Sequence, residues 1–243
     1  MTGFLLGGLR ELLRDLHGAL EALLQPGARL TRILPAVAGM AAGWILYVPI
    51  HELLHAAGCL ATGGTVSEVR LAPIHGGAIL GRLFGFVVPA EAGDYAGRVT
   101  GFDTRGSDLC YLATDAAPYL LTILIGVPLL RRLRRSPMPP VGAWLFGPAV
   151  ILAAAPLISL TGDYFEMGTV LATLLPWWRG LAHLRSDDLF RLLGGLAGGE
   201  IEDGPSALLA IGVSILIALV LASWTYRLGI IVGTLALRPR RAS

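Results

Sequence analysis

Lysine and asparagine are absent from this 243-residue chain, and Gln25 is its only glutamine. All 19 basic residues are therefore arginine, a bias we read as compositional because Arg, Ala, Gly and Pro are favoured together. Charge is scarce too: 15% of residues are acidic or basic and the net charge is +2, which gives no basic patch for nucleic acid. Two cysteines, Cys59 and Cys110, do not make a disulfide framework. Apolar sequence is what the chain has in excess. Hydrophobic residues reach 54%, the mean hydropathy is +0.68, and the apolar residues gather in long runs. A disordered chain and an ordinary cytosolic enzyme are excluded, leaving a small, all-α polytopic membrane protein.

A helix needs roughly 20 apolar residues to cross the hydrocarbon core. Four runs meet that length, at about 33–61, 109–130, 141–162 and 204–226. A fifth run, 167–178, is too short to span alone and ends in Pro176-Trp177-Trp178-Arg179, an interfacial pattern. It reads as a re-entrant or packed helix, with a tilted fifth span from near Asp163 as the alternative. Arginines cluster before the first run (Arg10, Arg14, Arg29, Arg32), after the second (Arg131, Arg132, Arg134, Arg135) and at the end (Arg238, Arg240, Arg241). Four spans with both termini in the cytoplasm put all three clusters inside. Asp103, Asp108, Asp187, Asp188, Glu200, Glu202 and Asp203 then lie outside. The expected location is a bacterial or archaeal cell membrane.

Residues 1–30 form one unit and 31–243 the membrane-embedded domain. In the first, Leu5, Leu9, Leu12, Leu13, Leu16, Leu20 and Leu23 share one helical face opposite Arg10, Glu11, Arg14, Asp15 and Glu21. This predicts an amphipathic helix on the inner membrane surface, not a signal peptide. The Gly-rich stretch 62–108 carries β-prone runs at 66–71, 84–88 and 98–102, punctuated by Gly63-Gly64, Gly76-Gly77 and Ala92-Gly93-Asp94. It predicts a small hairpin-like sheet beside the membrane. Residues 184–205 read as an extramembrane amphipathic loop.

The chemistry is concentrated in His51-Glu52-Leu53-Leu54-His55. Histidines four apart on a helix share a face and can converge on one ion, and the intervening glutamate can take a proton from a water that zinc activates. With five His and eight Glu in the chain, shuffling produces HExxH in roughly 0.3% of cases. Its place within a membrane run sharpens the signal, because each ionisable group there costs about 2.5–3.5 kcal/mol. A zinc site with an open position usually has three protein ligands. Counting about 1.5 Å per residue from the starts of their runs, His51, His55 and Asp163 lie about 27–33 Å along their helices, at matching depth. Asp163 is the leading third ligand. Asp115, at similar depth, is its rival or an outer carboxylate holding a histidine N–H, and Glu166 is the third choice. Cys59 lies about 12 Å along the axis from His51, too far to share its ion, and reads as a packed residue. A Cys59–Cys110 disulfide is the minor alternative. His75 reads as a surface-loop histidine, and His17 and His183 as interfacial.

The sequence resembles the site-2 protease family of intramembrane zinc metalloproteases. The resemblance rests on Pro49-Ile50-His51-Glu52-Leu53-Leu54-His55-Ala56-Ala57-Gly58 in a membrane helix, the small residues around Gly63 and Gly64 followed by β-like segments, Ala116-Ala117-Pro118-Tyr119-Leu120-Leu121 in a second helix, and Gly162-Asp163 in a later one. It implies zinc held by His51, His55 and Asp163, Glu52 as catalytic base, and a membrane protein or peptide as substrate within the lipid bilayer. Family members usually carry Asp-Gly where this chain has Asp163-Tyr164, and Gly-Pro followed by Asn where it has Ala117-Pro118 and no Asn at all. The chain reads as a divergent member. Pro49, Pro118 and Pro156 are expected to break helices and admit water. Two other readings stand beside proteolysis: a non-catalytic membrane metal-binding or transport protein using the same ligands, and a non-proteolytic scaffold of the same fold.

Overall fold

The computed structural model describes residues 5–25, 30–91, 95–134, 138–174, 185–186, 189–199, 201 and 203–236. Four stretches are long and apolar enough to cross a membrane: Leu30–Ala61, Asp108–Leu133, Val141–Thr173 and Gly204–Leu235. The first is one helix, α2 (Leu30–Ala61). The second is built from four short pieces: α4 (Asp108–Ala116), a 3-10 turn (Ala117–Tyr119), a π-helical stretch (Thr122–Gly126) and α5 (Val127–Leu133). In the third, α6 (Pro140–Ile158) and α7 (Asp163–Thr173) are joined by a turn. The last is α9 (Gly204–Ala236), preceded by the short helix α8 (Leu189–Ala197). The run expected as a separate re-entrant or tilted element begins inside α7. There Gly168 brings α7 against the Ser214 carbonyl of α9 at a distance that no Cβ would permit. Its aromatic end, Trp177 and Trp178, lies outside the described residues, as do His183, Arg29, Arg135, Arg179, Arg238, Arg240, Arg241, Asp187, Asp188, Glu200 and Glu202.

The N-terminal helix α1 (Gly7–Leu23) is amphipathic, but it packs on a different face from the one its leucines suggest. Gly8, Leu12, Asp15, Ala19, Ala22 and Leu23 are buried, whereas Leu5, Leu13, Leu20 and Leu24 are exposed. Small residues set the approach: a Cβ on Gly8 would collide with the Ser223 carbonyl, and the Gly8 N–H donates to Ser223 Oγ at 3.0 Å. Asp15, placed by sequence on the polar face, is fully buried. It accepts from Tyr226 Oη at 2.8 Å and from Arg131 at 3.1 Å, and it pairs with Arg134. The helix is thereby fixed to the end of α5 and the C-terminal third of α9.

Between α2 and α4 lies a three-stranded sheet of β1 (Thr65–Leu71), β2 (Val87–Pro89) and β3 (Gly97–Asp103), in the order β2-β1-β3. β1 and β3 fall where sequence expected strands, β2 is shorter than the expected 84–88 and shifted past it to Pro89, and the sheet is not a simple hairpin. β1 and β2 are parallel, and the crossover between them is supplied by a 3-10 turn at Pro73–His75 and the helix α3 (Gly77–Leu83). β1 and β3 are antiparallel, with Val69 opposite Val99 and Leu71 opposite Gly97. Positive φ at Gly63 and Gly76 turns the chain into β1 and α3. The turn expected at Ala92-Gly93-Asp94 lies outside the described residues. His75, expected on the surface, is buried in this crossover.

Prolines account for much of how these pieces join. A proline inside a helix cannot donate to the carbonyl four residues earlier, and in a bilayer that carbonyl needs another partner. Pro49 frees the Ile45 carbonyl, which accepts from His75 Nδ1 at 3.1 Å. Pro118 frees that of Thr114, which accepts from His55 Nδ1 at 2.8 Å. Pro156 frees that of Leu152, which accepts from the Thr122 hydroxyl at 2.6 Å. Each of the three breaks creates an acceptor that a side chain of another element occupies.

Candidate metal centre

α2 carries His51, Glu52 and His55 on one buried face, each less than a tenth exposed. Gly58, one turn on, lets α4 come close: a Cβ there would stand 2.5 Å from the Ala113 carbonyl and 2.8 Å from the Ala117 Cβ. That approach brings Thr114 over His55. A carbonyl only accepts, so His55 Nδ1 carries the proton and, in the neutral ring, Nε2 presents a lone pair. Tyr47, four residues before His51 on the same face, places its hydroxyl 2.8 Å from His51 Nδ1 and holds the orientation of that ring.

Asp163, the first residue of α7, meets both imidazoles. Its Oδ2 lies 3.3 Å from His51 Nε2 and 3.5 Å from His55 Nε2, and the two Nε2 atoms are 3.0 Å apart. An ion held tetrahedrally at about 2.0–2.1 Å keeps its ligand atoms about 3.3–3.4 Å from one another. The three separations bracket that value. Two imidazole nitrogens and one carboxylate oxygen are also the donor set that suits such an ion. Tyr119, carried on the 3-10 turn that Pro118 introduces, donates to Asp163 Oδ2 at 2.6 Å and steadies the carboxylate. This buried His-His-Asp group can hold a metal ion. Among the described residues no other three His, Cys, Asp or Glu bring ligand atoms within 4.8 Å of one another.

Glu52 stands beside the group without belonging to it. β3 packs flush on α2 at this point because residue 97 is glycine: a Cβ there would lie 2.7 Å from Glu52 Cγ and 2.9 Å from Val48 Cγ1. Glu52 and Val99 both line the same cavity. Its volume is about 280 Å³; Glu52, His55 and Asp163 open on it, and β3 flanks it through Gly97, Arg98 and Val99.

The other sequence candidates fall around this centre. Asp115 lines the cavity, but neither histidine uses it: His55 Nδ1 is taken by Thr114 and His51 Nδ1 by Tyr47. Glu166 lines the cavity too, and accepts from the Tyr111 hydroxyl at 2.6 Å. Cys59 and Cys110 are free thiols buried against Gly64, and Cys110 Sγ donates to the Cys59 carbonyl at 3.6 Å. His17 is exposed and pairs with Glu21 at 3.2 Å. Sequence reasoning missed Tyr47, Thr114 and Tyr119. Tyr47 was open to detection from its four-residue spacing to His51, and Thr114 from the proline four residues after it. Nothing local marks Tyr119 as a partner of Asp163.

Comparison with family models, with curated proteins and with solved structures finds no match to this chain.

Proposed function

We propose that this protein is an intramembrane zinc metalloprotease of the site-2 protease type, which hydrolyses peptide bonds of membrane-embedded or juxtamembrane substrates. The observation that carries the reading is the meeting of His51, His55 and Asp163 with Glu52 at their side, within stretches apolar enough to cross a membrane. Zinc is the metal that such a donor set with an open position suits best, and when bound it supplies Lewis acidity toward water and toward a peptide carbonyl. Glu52 takes the proton of the attacking water and returns it to the departing amine. Tyr47 and Thr114 hold the imidazoles. Hydrolysis needs an extended substrate backbone, and β3 suits that need. It lies at the edge of its sheet and flanks the cavity, so an unwound substrate segment can pair along it.

A metal-transport path would need ligands stepped through the bilayer, whereas these three converge on one point. The orientation we propose follows the arginines. α1, the end of α5 and the C-terminal third of α9 meet at Asp15, which is consistent with one cytoplasmic side for all three.

The test is the purified protein in lipid nanodiscs, assayed for bound metal and for cleavage of single-span peptides. We expect one zinc per chain. Glu52→Gln retains the metal and lowers cleavage by about 100-fold or more, the span of general acid–base catalysis. Undiminished cleavage by that variant removes Glu52 from the mechanism, and absence of stoichiometric metal removes the reading.

A further inference from the structure

We infer that Asp115 forms a subsite for a cationic side chain, a lysine or arginine of the substrate, beside the His51–His55–Asp163 centre. This rests on the proteolytic reading above. Asp115 is carried on α4 within the second apolar stretch and is 5% exposed. Among the described residues, its Oδ2 is the only buried side-chain nitrogen or oxygen with no hydrogen-bond partner. An ionisable group in such a stretch is costly unless paired, and an orphaned carboxylate oxygen more so. Asp115 nevertheless lines the cavity that Glu52, His55 and Asp163 share.

The surroundings select the kind of partner. Glu52 and Glu166 line the cavity with Asp115 and stand outside the three-ligand group, so an incoming cation meets carboxylates there even with the charge of Asp163 offset by a metal. Arg98 and Arg191 line the same cavity, yet Oδ2 is bonded to neither, and the Arg98 guanidinium sits 5.5 Å over the Tyr95 ring. A second metal ion does not fit, because the acidic groups here do not bring three ligand atoms within 4.8 Å. A single cationic head on a long stem does. Its ammonium or guanidinium donates to the Asp115 carboxylate, and the rings of Phe102 and Tyr111, 6.0 Å apart on the cavity wall, suit its methylenes.

The experiment uses the full chain in nanodiscs, loaded with zinc and carrying Glu52→Gln. The probes are labelled extended peptides of Ala and Leu in which one lysine is walked along the sequence, each with a norleucine twin. At one position we expect lysine to bind about tenfold tighter than norleucine or more, as for a desolvated charge pair. Adding Asp115→Asn brings that pair to parity and leaves the norleucine peptide and the zinc content unchanged. The inference is overturned if no position prefers lysine, if the preference survives Asp115→Asn, if both peptides weaken equally, or if zinc is lost. The same peptides offered to the wild-type protein separate the two readings. Cleavage without any lysine preference sinks the subsite alone. A lysine preference in binding with no cleavage of any peptide sinks the protease and leaves the cationic subsite standing.

Discussion

Asp15 and Asp115 are both buried, and they are supported in opposite ways. Asp15 stands where α1 meets the end of α5 and the C-terminal third of α9, and its two oxygens are taken by Arg131, Arg134 and Tyr226. Asp115 stands near the sheet, among other carboxylates, with one oxygen that nothing in the described structure satisfies. A saturated buried charge is a fastening: it holds one arrangement of helices and has no capacity left for a ligand. An unsaturated one, in a cavity next to a cluster able to bind metal, stands where chemistry needs a partner that comes and goes.

Neutralising each aspartate breaks that contrast most directly. Asp15→Asn leaves two guanidiniums facing an amide. Removing one partner of a fully buried pair costs about 3–5 kcal/mol. Here Arg131 and Arg134 are 21% and 34% exposed and can turn to water, so we expect about 2–3 kcal/mol. Asp115→Asn removes a buried charge that has no partner, so stability should hold or rise, by up to about 1–2 kcal/mol. Thermal unfolding of the two variants in nanodiscs measures both. Equal losses would show that Asp115 is a fastening like Asp15.

The contrast was only half legible in the sequence. Spans, strands and the HExxH face follow from local periodicity, and each appears close to its expected place. Depth arithmetic admits Asp163 as a ligand, because a helix rises evenly and a bilayer has fixed thickness, but it admits Asp115 as well, and only the packing separates the two. Asp15 reads as solvent-facing because the leucines of α1 define the wider apolar face. Burial instead follows the line of Gly8, Ala19 and Ala22, since small residues let backbones approach, and the partners of Asp15 lie 116, 119 and 211 residues away. The sheet order is hidden for the same reason, as a parallel pair depends on a crossover that no local pattern specifies. The prolines are plain in the sequence, but their consequence is not. It is set by what faces the freed carbonyl, and that is tertiary information.

Pro118 sharpens the comparison at the metal end, where support is indirect. In Pro118→Ala a new N–H competes with His55 Nδ1 for the Thr114 carbonyl. That oxygen has two lone pairs, so competition is partial, and metal affinity should fall by about tenfold, the low end for loss of an outer partner of a ligating histidine. Thermal stability should hold or rise, because the helix is repaired. Metal titration against a competing chelator reads the first effect and calorimetry the second. Unchanged affinity would mean that the Thr114 carbonyl does not orient the ring.

The smallest effect is expected where a freed carbonyl lies away from both aspartates. Thr122, in the π-helical stretch, donates to Leu152, whose carbonyl Pro156 leaves open. Thr122→Val strands that carbonyl in an apolar stretch and should cost about 1–2 kcal/mol. With Pro156→Ala in place, the backbone N–H gained at that position can reach the same oxygen, and Thr122→Val should then cost less than about 0.5 kcal/mol. The difference, about 1 kcal/mol of coupling in a double-mutant cycle of unfolding free energies, measures how tightly a proline and a hydroxyl on different spans depend on each other. Additive costs would mean that Leu152 does not need Thr122. The proline in α6 would then be a kink that neighbouring packing absorbs, and not one half of a hydrogen-bonded joint between the second and third stretches.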